Sequence, residues 1–458
     1  MKNTKIFGHL LENSLEVNNM ADWSFGELQD WDDKICTLGA ALNLDWYPIE
    51  YEICDYKEMM GHMAYTGLPT HYRHWSYGKS FDRIQTEYNL GMQGLPYEMI
   101  INSNPSISYL MTENPMPTHI LTMAHCVGHS DFFKNNRMFS ETDADNAIDR
   151  FKSASKRVKK YIEDPNIGIE KVENILDACH TIRYQVHRTP GIKRRNPEQL
   201  KKHYENLIHK GIIDPFIDNF DINKIPLEPD PNLLGFIAAN NRFLTDWERD
   251  LITIVEKESL YFVPQAYTKI MNEGWACMIH EKIVNALKLP DDYYLSFVRL
   301  HNQVVRPHLG RVNPYHLGFK MFKYIEEKYG FEECLRARET HNDETFIKHY
   351  LTEELCKELN LFSFSFHEKD GYNKITNISN EEEWKIVRDD LITNVGLNSV
   401  PVIVVKEMKK DGTLILEHEH DGRDLELSEA NKVFEQINTL WHGGVKFTTV
   451  IEDDPWEF

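Results

Sequence analysis

The stretch NPMPTHILTMAHCVGHSDFFKNN, residues 114–136, places His125 and His129 four residues apart in a segment whose apolar residues recur at helical spacing. The segment predicts a helix, because Asn114 is a good N-cap, Pro115 suits the first helical position, and basic and amide residues close the run. Residues four apart lie on one face of a helix, so both imidazoles point to one place. Histidines at this spacing are a common pair of metal ligands.

A second helical run, residues 264–287, carries Glu273 and, seven residues later, His280 on the same face. A histidine pair alone is more often part of a core or a surface than of a metal site. A carboxylate from a second helix, however, is a frequent third ligand beside two histidines of one helix. The two runs together therefore predict a metal site of His125, His129 and Glu273, with His280 as a candidate fourth ligand.

The composition is that of a globular protein with two or three domains. The chain has 458 residues, of which 41% are hydrophobic and 12% aromatic, enough for a sizeable core. The formal net charge of −21 disfavours nucleic acid and anionic membrane surfaces as main partners. A solvated acidic surface that keeps the protein soluble accounts for this charge.

The cysteines and the N-terminus predict a cytoplasmic protein without a membrane span. Seven cysteines are scattered along the chain without CxxC spacing, which is typical of reduced thiols. The first 20 residues contain charges and amides where a signal peptide needs an apolar core. No apolar run reaches the roughly 18 residues that a transmembrane helix needs.

Residues 1–360 are predicted to form a mainly helical domain with one short strand element. Two strands, at residues 97–101 and 106–111, precede the histidine helix directly, where they would hold an extended substrate or merely pack the helix. The proline-rich residues 188–232 are expected to form an irregular surface insertion. Helices are expected, among other places, at residues 22–42, 49–63, 80–88 and 240–257.

Residues 361–458 change to a pattern of short strands. The predicted order of elements is βαββαβ, the split βαβ or ferredoxin-like arrangement with two helices on one face of an antiparallel sheet. We therefore expect an α+β protein, in which the helical domain 1–360 is followed by a small α+β domain, 361–458.

Two loops dense in basic, polar and aromatic residues, at 71–79 and 306–320, are expected to contact a substrate. Arginine in such a loop can hold a substrate carboxylate through two hydrogen bonds. Loops of this composition can also be structural or bind a partner. The substrate-binding candidates are His71, Arg73, His74, Arg306 and Arg311.

Several motifs of the chain, HCVGHSDFFKNN, HYRHWSYGKS, NEGWA with the following His280, and VNPYHLG, resemble the stage V sporulation protein R (SpoVR) family over essentially the whole chain. The resemblance implies a role in spore cortex and coat formation, although the family also occurs in bacteria that do not sporulate. Genes of the family often neighbour a PrkA-type serine kinase, so such a kinase or another sporulation protein is the implied partner. The resemblance implies a process rather than a reaction.

HCVGH followed by NEGWA is also similar, more distantly, to the gluzincin metallopeptidases, in which HExxH supplies two zinc ligands and a downstream glutamate the third. That similarity implies a zincin-like N-terminal domain with Zn²⁺, or Fe²⁺, on His125, His129 and Glu273. Cys126 stands where that family has its general base, and the separation of 144 positions from His129 to Glu273 exceeds the family's usual separation. Metal binding is therefore better supported than peptide hydrolysis.

Two functions from different classes follow. The first is a metal-dependent hydrolase that acts on a peptide or peptidoglycan-precursor-like substrate; it needs a proton acceptor and an oxyanion donor. The second is a non-catalytic regulatory or scaffold protein, in which His280 as a fourth ligand closes a structural metal site. The candidate catalytic residues are Cys126, although a neutral thiol is a poor base, then Glu98, Glu113 or His280 as the base, and His308, Tyr315 or His316 as the oxyanion donor.

Overall fold

The computed structural model describes residues 23–68, 70–92, 94–218, 220–308, 311–367 and 372–458. The first 22 residues, for which no signal peptide is expected, lie outside these ranges. The helices are α1 Phe25–Ala41, α2 Tyr56–Ala64, α3 Trp75–Asn89, α4 Met116–Asn135, α5 Ala147–Glu163, α6 Ile169–Thr181, α7 Pro197–His209, α8 Leu233–Asn240, α9 Asp246–Tyr267, α10 Lys269–Ala286, α11 Asp291–Val304, α12 Pro314–Tyr329, α13 Phe331–Thr340, α14 Asp343–Tyr350, α15 Glu353–Glu358, α16 Trp384–Asn394 and α17 Leu427–Leu440. The strands are β1 Ile49–Cys54, β2 Glu98–Ile101, β3 Ser106–Met111, β4 Phe362–His367, β5 Tyr372–Ile378, β6 Ile403–Met408, β7 Leu414–His418, β8 Val445–Ile451 and β9 Asp454–Glu457.

The described residues divide into two compact units, each built from two segments of chain. Unit 1 consists of Met1–Ser153 and Pro264–Ser399, and unit 2 of Ala154–Val263 and Val400–Phe458, as far as these are described. The protein is α+β, as predicted, with a mainly helical N-terminal region. The units do not coincide with the predicted domains 1–360 and 361–458, because each unit takes residues from both.

Unit 1 is built around α4 and α10, the helices predicted from the two motif stretches. Every residue of α4 from Met116 to Phe133 is buried, which is typical of a helix surrounded by its own protein. The two helices approach closely at Gly128, where a Cβ atom would lie 2.8 Å from the Cα of Ala276. On the other side, a Cβ on Gly274 would lie 2.2 Å from the backbone of α12. Glycine is thus required at both crossings.

A three-stranded sheet in the order β1-β3-β2 packs beside α4. Strand β3 pairs parallel with β1 and antiparallel with β2, and the chain runs from β3 directly into α4. The strands predicted at 97–101 and 106–111 are confirmed. The helix predicted at 49–63 is wrong in its first half, because Ile49–Cys54 is strand β1. Its sequence, IEYEIC, alternates buried and exposed residues as a strand does.

The C-terminal strands form two separate sheets. Strands β4 and β5 form a two-stranded sheet in unit 1, and β6-β7-β8-β9 form a four-stranded sheet in unit 2. The ferredoxin-like arrangement is therefore not confirmed: β4 takes β5 as its partner, and β8 is bordered by β9. Neither β5 nor β9 was predicted, because their sequences, YNKITNI and DPWE, lack a clear apolar alternation.

In unit 2 the predicted insertion 188–232 is less irregular than expected. It contains α7, which begins with a capping box between Asn196 and Gln199. Near its end Asp230 exchanges two backbone hydrogen bonds with Val405 of β6, at 2.8 and 3.1 Å. The insertion therefore helps to complete the fold of unit 2.

All seven cysteines are free, and six of them are buried. Within the described ranges, no helix has both the length and the apolar composition needed to cross a bilayer.

The burial of His119, on α4, predicts how the stability of the fold depends on pH. Its side chain is fully buried and packs edge-on against Trp23, and neither ring nitrogen has a hydrogen-bond partner among the described residues. Burial lowers the pKa of His119 from 6.5 to about 4, and the nearby carbonyl of Asn114 offsets only part of this effect. A difference of this size corresponds to roughly 3 kcal/mol.

Because the folded state resists protonation at His119, this contribution to stability is complete above the unfolded pKa and is lost as pH falls from about 6.5 to 4. We expect the free energy of unfolding of His119→Leu to fall less steeply over this range than that of the wild type. Urea unfolding at several pH values measures it. Parallel curves for the two proteins would contradict the prediction.

Candidate metal centre

His129 and Glu273 face each other where α4 crosses α10. The Nδ1–H of His129 donates to the side-chain oxygen of Asn272 at 2.8 Å, which fixes the tautomer of the ring. The other nitrogen, Nε2, lies 3.5 Å from Oε2 of Glu273. A metal-binding histidine usually donates its second N–H to an oxygen in this way, so the ring is oriented as a ligand would be.

His125 Nε2 points to the same place and brings in a second carboxylate. It lies 3.8 Å from Oε2 of Glu273 and 3.8 Å from Oε1 of Glu98, which begins β2. The ligand atoms of Glu98, His125 and His129 all lie within 4.8 Å of one another. Two imidazoles and two carboxylates thus converge at the meeting point of α4, α10 and the sheet.

The chemistry of these donors fits a divalent cation. Oε2 of Glu273 is buried and has no hydrogen-bond partner among the described residues. Leaving a buried carboxylate oxygen unpartnered is costly, and a cation between it and the two imidazoles would remove that cost. Imidazole and carboxylate together suit zinc or iron.

The electrostatics of the centre also favour a cation. Burial alone would lower the pKa of His125, but the carboxylates of Glu273 and Glu98 outweigh burial and raise it. Burial would raise the pKa of Glu273, yet His125 and His129 hold it below its usual value. Burial and His125 lower the pKa of His129 to about 4. The two carboxylates therefore favour a positive charge at His125, in the place that a metal ion would take.

His280 lies on the other side of the His125 ring. Its Nδ1 is 2.9 Å from Nδ1 of His125, and its Nε2 is 2.8 Å from Nδ1 of His301 on α11. His280 therefore faces the nitrogen of His125 that points away from Glu98 and Glu273, and its placement does not match the predicted fourth ligand of the same ion. Cys277 is close to this pair of histidines and is a site residue that the sequence did not predict. The sequence signal for Cys277 is that it stands three residues before His280, a spacing that places both side chains on the same face of a helix.

Cys126 points towards the sheet. Its sulfur is 3.2 Å from the hydroxyl oxygen of Ser108 on β3. Complete burial raises the pKa of Cys126 well above its usual value, so the thiol is neutral. This placement does not support the predicted catalytic role. Glu98 is the carboxylate that lies beside the two imidazoles, whereas Glu113 accepts a hydrogen bond from the backbone of Tyr56 at 3.4 Å.

Of the predicted oxyanion donors, Tyr315 reaches the centre. Its ring is stacked beside that of His125, with centroids 6.4 Å apart. The carboxylate of Glu273, followed by burial, raises the pKa of the Tyr315 phenol, which stays protonated. Asn313 positions Tyr315 by capping α12.

The other residues of the 306–320 loop lie around a neighbouring cavity or outside it. His316 and Arg306 line a cavity of about 560 Å³, together with His301, Lys320 and apolar side chains of α11. The Nδ1–H of His316 donates to the carbonyl of Val305 at 2.7 Å. Two further predicted residues, His308 and Arg311, pair with each other through their backbones.

The residues predicted from the 71–79 loop are not part of the centre. His71 is buried against Tyr77, with 3.3 Å between Nε2 and the phenol oxygen. His74 caps α3, because its Nδ1 accepts a hydrogen bond from the backbone of Ser76 at 3.3 Å. Arg73 is exposed. At least His74 therefore has a structural role.

Two buried acidic residues hold the ligand-bearing helices in place. Asp343 of α14 accepts hydrogen bonds from the backbone nitrogens of Ile270 and Met271, both at 2.9 Å, and so caps the first turn of α10. Asp131 of α4 accepts a hydrogen bond from the indole of Trp275 on α10 at 2.9 Å. Neither residue could be recognised as a support from its position in the sequence.

Comparison with known proteins gives two family matches and one relative. Residues 22–400 match the family described as SpoVR like protein, and residues 401–452 match the family described as SpoVR-like C-terminal domain. A protein of Escherichia coli (strain K12), named Uncharacterized protein YcgB, is 31% identical over 489 aligned residues, which cover 96% of this chain and 95% of that protein. No solved structure matches the chain.

Proposed function

The chain belongs to the SpoVR family, membership of which suggests a sporulation-related role, and we propose that it is a metal-dependent hydrolase. Its substrate would be a peptide or a peptidoglycan precursor in the cytoplasm, during formation of the spore cortex or coat. One observation carries the proposal: Oε2 of Glu273 is buried, accepts no hydrogen bond from any described residue, and lies 3.5 Å from His129 Nε2 and 3.8 Å from His125 Nε2.

Each residue of the centre would have its own role in hydrolysis. A divalent zinc or iron ion, when bound, would acidify water and polarise a carbonyl. His125, His129 and Glu273 would hold it. Glu98 would take up a proton at Oε1, since burial raises the pKa of this carboxylate towards the value that a general base needs. Tyr315 would donate its phenol hydrogen to the oxyanion.

The cavity beside α11 is where we place the substrate. Arg306, His316 and Lys320 line it together with Phe297 and Tyr294. Glu281 also lines the cavity, and Lys320 is paired with Glu358 at 3.1 Å, so Arg306 is the group that we assign to a substrate carboxylate. Its guanidinium beside aromatic surface suits a peptide-like substrate. His301 belongs both to the wall of this cavity and to the chain of histidines that ends at His125.

A variant of Glu98 distinguishes catalysis from metal binding alone. We expect purified wild type to contain metal and to hydrolyse peptide or muropeptide substrates, and Glu98→Gln to retain the metal while activity falls by a factor of about 10²–10⁴. Elemental analysis and a hydrolysis assay on the same preparations measure both. Metal-free wild type after gentle purification would contradict the proposal.

A second candidate function rests on the position of Glu98. Because Glu98 is as close to His125 Nε2 as Glu273 is, both carboxylates could bind the ion, and four protein ligands would close the site. The protein would then be a metal-stabilised scaffold for a partner such as a PrkA-type serine kinase. In that case Glu98→Gln lowers the metal content, and no variant hydrolyses a substrate.

A further inference from the structure

We propose that the chain binds a second metal ion, held by Nδ1 of His125, Nδ1 of His280 and Sγ of Cys277, so that the His125 ring bridges two ions. The proposal deepens the proposed function and rests on its first centre, to which His125 contributes Nε2. It would make the centre dinuclear.

The three donor atoms are already assembled. One ring nitrogen of each histidine and the sulfur of Cys277 lie within 4.8 Å of one another, the two Nδ1 atoms are 2.9 Å apart, and all three side chains are buried. Cys277 and His280 are three residues apart on α10, so they project from the same face of that helix. His125 comes from α4, which the contact at Gly128 holds against α10. The ligands therefore come from two rigid helices rather than from mobile loops.

The surroundings of the three donors are those of a ligand set. The hydrogen bond of 2.8 Å between His280 Nε2 and His301 Nδ1 orients the His280 ring, as partners of metal-bound histidines do. The Cys277 thiol has no hydrogen bond to any other described residue, in contrast to Cys126, which is bonded to Ser108. Two imidazoles and a thiolate suit zinc or another thiophilic transition metal.

Charge and protons balance for two divalent ions. The contact of 2.9 Å between Nδ1 of His125 and Nδ1 of His280 requires a proton between them. The second ion would replace that proton, and the Cys277 thiol would release its own proton to solvent. The ring of His125 and the sulfur then each carry one negative charge. The second ion adds two positive charges, so the net charge of this buried region does not change.

Cobalt titration of the metal-free, full-length protein tests the second site. We expect two equivalents of Co²⁺ to bind and a near-ultraviolet thiolate-to-cobalt charge-transfer band to appear. Cys277→Ser should bind one equivalent without the band, with affinity for the other reduced by at least about 100-fold. Cys126→Ser is the matched control, since this thiol is equally buried, follows His125 in the sequence and is bonded to Ser108; it should keep both equivalents and the band.

The outcomes separate this proposal from the proposed function. If the wild type binds one equivalent of Co²⁺ without a charge-transfer band, the second site is overturned and the first is left intact. A band that survives in Cys277→Ser has the same meaning. Absence of any binding overturns both proposals. Two equivalents with the band but no hydrolysis supports the second site and contradicts the hydrolase. If circular dichroism shows that Cys277→Ser is misfolded, His280→Gln provides the same test, since it should also lose one equivalent.

Discussion

His125→Ala is expected to lose metal binding, with an affinity for Zn²⁺ at least about 100-fold below that of the wild type. His125 is the residue on which the site converges, because its Nε2 is 3.8 Å from both Glu98 and Glu273 and its Nδ1 is 2.9 Å from His280. Alanine removes both nitrogens and leaves two buried carboxylates facing each other without a cation. Elemental analysis after purification, followed by zinc titration of the metal-free protein, measures the loss.

His119→Leu is the control for this experiment. His119 lies on the same helix, is equally buried, and packs against Trp23 away from the centre, so its replacement should leave the metal content unchanged. Glu273→Ala should behave like His125→Ala. A His125→Ala protein that is folded and still carries the wild-type amount of metal would refute the metal centre as described.

The two central helices could be predicted because their signals are local. Spacing of four residues brings His125 and His129 to one face of α4, and Glu273 stands in an equally periodic run. A close approach at Gly128 is what a glycine on that face predicts, but its partner, Ala276 of α10, could not be predicted, since it depends on which residue of α10 faces that glycine. The same limit applies to His280, because the packing of the two helices decides on which side of the His125 ring it lies.

Elements that depend on partners distant in the sequence were harder to predict. Strand β1 carries an alternating pattern, yet the sequence predicts a helix there, because the pairing of β1 with β3 involves residues more than 50 positions away. Strand β5 is polar and is recognisable only through its pairing with β4. The two segments of unit 2 are also joined by a distant pairing, that of Asp230 with Val405, and no local pattern in the sequence indicates it.

The residues of the candidate site also differ in how well the sequence alone predicts them. Glu98 could be named only as one of several possible bases, because a glutamate at the start of a strand has no distinctive local pattern. The structure brings Glu98 to His125 through the antiparallel pairing of β2 with β3, the strand that leads into α4. Cys126 stands at the position of the base in the related motif, but its side chain faces Ser108 instead.

Asp131→Ala is expected to destabilise the protein by about 3–5 kcal/mol, because it leaves a buried guanidinium without its partner. Asp131 is fully buried, and its carboxylate is 3.1 Å from the guanidinium of Arg338, which is also buried. The same carboxylate accepts hydrogen bonds from the indole of Trp275 at 2.9 Å and from the backbone of Asp45 at 2.8 Å. Denaturant unfolding at neutral pH measures the change.

A double-mutant cycle distinguishes the ion pair from the other contacts of Asp131. Arg338→Met removes the guanidinium, and in that background Asp131→Ala should cost less stability than in the wild type, because no buried positive charge is left unpaired.

Asp131 is two residues from His129, and Trp275 is two residues from Glu273, so their hydrogen bond joins α4 to α10 beside the ligands. We therefore expect Asp131→Asn, which keeps an acceptor oxygen and costs less stability than alanine, to weaken zinc binding by only about 10–100-fold. Unchanged zinc affinity in both Asp131 variants would show that the network supports the fold without positioning the ligands.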